Sequence, residues 1–87
     1  MRRLIIDVRE PQEFAAGHVA GAINLPPNKL MGSLDELDDA PKNTEIILYC
    51  RSGARSNVAI QILRGRGFTN LINGVNQMHV EARYMRA

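Results

Sequence analysis

Apolar positions fall in short runs, separated by polar segments that carry glycine or proline. Leu4-Ile5-Ile6-Asp7-Val8 is apolar apart from Asp7, the pattern of a strand buried on both faces. Pro11 suits the first position of a helix and Gly17 the residue just past its end, so the spacing predicts a helix over Glu10 to Ala16 with Phe14 packed inward. Ala20 to Leu25 is small and apolar, a brief strand ended by Pro26-Pro27. Ser33-Leu34-Asp35-Glu36 matches a capping box, and a short acidic helix is expected to run to about Asp39. Pro41-Lys42-Asn43 is a loop, and Ile46 to Tyr49 is the central strand. Val58, Ala59, Ile62 and Leu63 recur at helical spacing, which predicts an amphipathic helix over Asn57 to Arg66, closed by Gly67. Thr69 to Ile72 is read as a fourth strand, Asn73-Gly74 as a turn, and Gln77 to Ala87 as a frayed helix.

Strands that alternate with helices argue for an α/β fold: an open parallel sheet of about four strands, flanked by helices on both faces. Such sheets bind ligands at the carboxyl ends of their strands. Cys50 lies at one such end and Asp7 at another, so Asp7 is expected near the loop that follows Cys50.

The 87 residues allow a single domain, 1–87, with a small core. No run of 18 or more apolar residues suggests a membrane span. Met1-Arg2-Arg3 leads directly into the first strand, without the apolar stretch of a signal peptide. A cytoplasmic location fits the chain as given, and a periplasmic one if a signal peptide was removed. The net charge of +2 is bland, but from Arg51 onward six arginines face one glutamate. That half attracts anions. No aromatic residues alternate with the basic ones, which argues against nucleic acid as the partner.

The chemistry concentrates in Tyr49-Cys50-Arg51-Ser52-Gly53-Ala54-Arg55-Ser56. Cys50 is the only cysteine, which excludes an internal disulfide. It stands where a strand gives way to a loop and then a helix. A helix start offers unpaired backbone N–H groups and the positive end of the dipole. A thiol there, beside Arg51 and Arg55, is expected to lose its proton more readily than a free cysteine. The same N–H groups form an anion cradle. Arg51 is placed to meet an incoming anion. Arg55 is expected to hold the loop by pairing with a carboxylate such as Asp7, and loss of a buried pair of that kind would cost roughly 3–5 kcal/mol. Gly53 suits a positive φ, and Ser56 a helix cap. Asp7, Arg9 and Glu13 read as a scaffold ion-pair cluster. His18 is read as a structural hydrogen-bonding group and His79 is given no role.

Two sets of residues together resemble the rhodanese (sulfurtransferase) homology domain. The first is Asp7-Val8-Arg9, Glu13-Phe14, Gly17-His18-Val19, Gly21-Ala22, Asn24 and Pro26, and the second is the loop Cys50 to Arg55 with Ser56 opening the helix. The brevity is similar to that of single-domain rhodaneses of the phage shock protein E type. One departure lies at Asn73 and Met78, where the family often has the first glycine of a Gly-Gly pair and a Trp. It implies altered packing behind the loop. The resemblance implies a Cys50 thiolate that takes sulfane sulfur from thiosulfate or a related anionic donor, releases sulfite and holds the sulfur as a persulfide. Arg51, Ser52, Gly53, Ala54 and Arg55 would bind the substrate, with Asp7 and Ser56 in support. The acceptor would be cyanide or a thiol, including a thioredoxin-like protein. It implies a monomer that requires no metal or organic cofactor.

Two rival readings share this fold. Certain dual-specificity phosphatases need Cys, five residues, then Arg; here the sixth residue after Cys50 is Ser56, and Arg55 closes a six-position loop. Non-catalytic rhodanese-like modules usually lack the cysteine that this chain keeps.

Overall fold

The first strand, β1 (Arg3–Asp7), sends alternate side chains to opposite faces of the sheet, as any strand must. In this computed structural model, which describes residues 3–32, 37 and 39–85, the elements follow in chain order. They are α1 (Pro11–Ala16), β2 (Ile23–Asn24), α2 (Pro27–Leu30), β3 (Glu45–Cys50), α3 (Ala54–Gly65), β4 (Leu71–Asn76) and α4 (Gln77–Tyr84). The sheet is parallel, with strand order β2-β1-β3-β4.

Strand β3 is the axis of the molecule. It pairs with β1 from Arg3 opposite Glu45 to Asp7 opposite Tyr49, and with β4 on its other side. Ile46, Leu48 and Cys50 face one core, shared with Leu30 of α2 and Ala59, Ile60 and Leu63 of α3. Ile47 and Tyr49 face a second core, closed by Val19 and by Val80 of α4. Helices therefore cover both faces, which explains why β3 reads as a continuous apolar run. The Tyr49 hydroxyl accepts the Val19 N–H at 3.0 Å, on the face away from α3.

Four elements differ from the sequence reading. Helix α3 begins at Ala54, three residues before the expected Asn57, because Gly53 serves as its N-cap at φ 94°. Ser56 is therefore not the cap; it lies buried inside the first turn. The double proline does more than end a strand: Pro26 is extended and Pro27 opens α2, where its missing N–H costs nothing. The brief strand shrinks to Ile23–Asn24. Asn73-Gly74 is no turn, since β4 runs through it.

Leu48 pairs with Asn73 and Tyr49 with Val75, so Gly74 is an extra residue that bulges out of the ladder. A Cβ on Gly74 would stand 2.6 Å from Val80 Cγ2 and 2.9 Å from Ile47 Cγ2. Glycine is required there by close packing. The next residue, Val75, holds φ at 72°, an unusual value for a β-branched side chain. Helix α4 is regular to Tyr84, and the Asn76 side chain caps it by accepting the His79 N–H at 2.8 Å. Phe14 is only half-buried, and its ring stacks on His18 at 3.6 Å. The capping box at Ser33 to Glu36 lies outside the described residues.

Candidate active site

Cys50 ends β3, and the chain must reverse within three residues to start α3. The left-handed Gly53 makes that reversal, and its N–H then points back at Cys50 Sγ, 3.1 Å away. The Ser56 hydroxyl stands 3.7 Å from the same sulfur. Cys50 is only 2% exposed, and burial by itself pushes a thiol up. Here burial is outweighed by the backbone N–H groups of Ser56 and Ser52, the Ser56 hydroxyl and the Gly53 N–H. Together they bring Cys50 down to about 7. Of the two causes expected, the N–H groups of the helix start dominate, joined by a hydroxyl, and the two arginines do not.

Arg51, Ser52 and Ala54 are exposed around the buried sulfur, and among the described residues Arg51 makes no ion pair. Arg55 is engaged. Its Nη1 and Nη2 donate to Glu13 Oε1 and Oε2 at 2.8 and 3.2 Å, a two-pronged pair that ties the loop to α1. The Glu13 carboxylate is pulled from the ordinary 4.5 to about 2, first by Arg55 and then by the Glu10 N–H.

The expected pairing of Arg55 with Asp7 is therefore corrected. Asp7 is fully buried at the end of β1, where its carboxylate accepts the Arg9 N–H and the Arg9 guanidinium, the closest contact being 2.6 Å. Arg9 in turn donates to the Gly17 carbonyl at 2.7 Å and lies over the Tyr49 ring. Asp7 and Arg9 form one pair and Glu13 belongs to another. A buried Asp beside an adjacent Arg satisfies itself locally, while Glu13 on α1 has the reach to meet Arg55. His18 Nδ1 bonds the Phe14 carbonyl at 2.9 Å, an internal contact of the α1 turn.

One residue that the sequence reading assigned only to packing enters the site. The Asn73 side chain donates from Nδ2 to the Gly53 carbonyl at 3.0 Å, and its Oδ1 accepts the Ser56 hydroxyl at 2.7 Å. The available signal was the departure from the family's glycine, which adds a polar side chain directly behind the loop.

Residues 1–79 match the family model of the rhodanese-like domain, and the chain belongs to that family. It is 43% identical over 70 residues to YqhL, an uncharacterized protein of Bacillus subtilis, covering 79% of this chain and 52% of that protein. It is 36% identical over 70 residues to a sulfurtransferase of Allochromatium vinosum, covering 80% of this chain and 63% of that one. The chain thus spans roughly half to two-thirds of the length of these relatives. Among solved structures it is similar to a rhodanese from E. coli determined with anions, with TM-score 0.77 and 31% identity over 88% of this chain and 89% of that one.

Proposed function

We propose that this domain is a sulfurtransferase that carries sulfane sulfur on Cys50. The Cys50 thiolate attacks the outer sulfur of thiosulfate. The bond between the two thiosulfate sulfurs breaks, its electron pair leaves with sulfite, and a Cys50 persulfide remains. A nucleophilic acceptor, cyanide or a thiol, then attacks the terminal sulfur, and the electron pair of the persulfide bond returns to Cys50 as thiolate. Cyanide would leave as thiocyanate. No proton donor is needed for the first leaving group, because sulfite departs as a stable anion.

The observation that carries this reading is the Gly53 N–H at 3.1 Å from Cys50 Sγ, with the thiol brought to about 7. The thiolate is then more accessible at neutral pH than in a free cysteine, and the loop donors that hold its charge can also hold the persulfide charge. The exposed Arg51 beside a buried sulfur suits an anionic donor. A six-position loop, with Arg55 turned to Glu13, supports a small sulfur-centred substrate over a phosphate ester. The test is thiocyanate formation from thiosulfate and cyanide. Turnover is expected in the parent and none in Cys50→Ser, which is nearly isosteric. Turnover by a folded Cys50→Ser would end the proposal.

A further inference from the structure

Asn73 sits opposite Leu48 across the β3–β4 ladder, two residues before Cys50 in β3. Cross-strand partners share a face, so its side chain points toward α3, as do those of Leu48 and Cys50. It reaches the first turn of that helix. The space that a Cβ on Gly53 would occupy is lined by the amide, with Asn73 Oδ1 at 3.5 Å and Nδ2 at 3.6 Å.

Two main-chain groups fix which way round the amide lies. The Gly53 carbonyl can only accept, so the atom 3.0 Å from it is Nδ2. The Val75 N–H can only donate, so the atom 3.0 Å from it is Oδ1. Oδ1 thus presents a fixed acceptor to Ser56, whose hydroxyl carries one proton. That proton has three acceptors in range: Asn73 Oδ1 at 2.7 Å, the Gly53 carbonyl at 3.1 Å and Cys50 Sγ at 3.7 Å. One amide therefore pins the N-cap carbonyl of α3 and the hydroxyl beside the sulfur together. It also bonds the N–H of Val75, whose positive φ follows the bulge.

We infer that Asn73 is a positioning residue for the Cys50 sulfur, holding Gly53 and Ser56 so that the donors at the start of α3 converge on Sγ. This inference rests on the sulfurtransferase reading for its catalytic consequence, but not for its structural one. It assigns a function to the position where this chain departs from the family's glycine.

The test reads the pH midpoint of Cys50 alkylation by iodoacetamide in the parent, Asn73→Ala, Ser56→Ala and the double variant. Asn73→Ala releases the Gly53 carbonyl but also frees the Ser56 proton for Sγ, so the contribution through Gly53 is read with the hydroxyl removed. Asn73→Ala with Ser56→Ala is expected to titrate above Ser56→Ala alone, by up to roughly one pH unit. With Ser56 present the same substitution is expected to give a smaller rise, because the freed hydroxyl can turn to Sγ and offset it. Charged groups on the surrounding elements stay in place: Arg51 in the loop, Arg55 on α3, Glu13 on α1, Asp7 and Arg9 at the end of β1, and Glu81 on α4. If Asn73→Ala fails to fold, Asn73→Ser keeps a short acceptor for the Val75 N–H and still lacks the reach to Gly53, so the same rise over Ser56→Ala is expected when the two are combined. A midpoint in the folded double variant at or below that of Ser56→Ala would overturn the inference. Alkylation does not depend on sulfur transfer. A raised midpoint in a protein whose parent form takes up no sulfur would therefore sustain the inference and sink the sulfurtransferase reading.

Discussion

The guanidinium of Arg55 closes on both carboxylate oxygens of Glu13 at 2.8 and 3.2 Å, so the first turn of α3, which ends the loop after β3, is anchored to α1. Arg51, four residues earlier, is exposed and makes no ion pair among the described residues. The two arginines therefore stand in different surroundings, which predicts separate tasks.

Arg51→Ala is expected to raise KM for thiosulfate several-fold and to leave the melting temperature in place. Arg55→Ala is expected to lower the melting temperature. The Arg55 side chain is 36% exposed, so the pair contributes at most about 1 kcal/mol, well short of the cost of a buried pair. For a domain of this size that corresponds to a fall of roughly 4–8 °C at the upper limit. The difference has a pH signature. The folded Glu13 value lies at about 2, below the ordinary 4.5, so its stabilisation is full above the unfolded value and disappears as pH falls toward the folded one. The stability gap between the parent and Arg55→Ala should close as pH falls through that window. Equal effects of both substitutions on KM and melting would refute the division of labour.

Cys50 should alkylate with a midpoint near 7, below the ~8.5 of a free thiol. Backbone amides and the Ser56 hydroxyl supply the stabilisation, so Ser56→Ala should raise the midpoint more than Arg51→Ala does. A larger rise in Arg51→Ala would restore the arginines as the main cause.

Gly74→Ala should destabilise the protein by about 1–3 kcal/mol, the usual cost of overpacking. Its Cβ would press on Val80 and Ile47, both buried, and on the Leu48 carbonyl at 3.3 Å. Thermal melting checks this, and an unchanged melting temperature would return Gly74 to the role of a tolerant turn residue.

Loop length is expected to separate sulfur transfer from phosphate-ester hydrolysis. Arg55 and Ser56 lie in the first turn of α3, so one residue inserted between Ala54 and Arg55 displaces Arg55 from Glu13 and Ser56 from Cys50. Sulfur transfer should fall, and para-nitrophenyl phosphate hydrolysis should be negligible in the parent. Efficient hydrolysis of that ester by the parent would show that a six-position loop accommodates a phosphate.

Much of this architecture was legible in the sequence. Continuous apolar runs announced β1 and β3, of which β3 is buried on both faces and β1 at its carboxyl end, and the lone cysteine between a strand and a helix marked the loop. The positive φ of Gly53 was also foreseen. What escaped depends on contacts distant in sequence. The choice between Asp7 and Glu13 as the partner of Arg55 is set by how β1 and α1 pack beside the loop. Asn73-Gly74 carries the local signature of a turn, but pairing with β3 overrides it, and the glycine answers to Val80 and Ile47 instead. Ser56 has cap chemistry, yet Gly53 reverses the chain earlier and leaves the serine hydroxyl for the sulfur and for Asn73.

Intact-mass measurement after incubation with thiosulfate tests the central claim most directly. The parent protein is expected to gain the mass of one sulfur atom, lose it on addition of cyanide, and show no gain in Cys50→Ser. A parent that gains no sulfur, or a Cys50→Ser variant that does, would contradict the account.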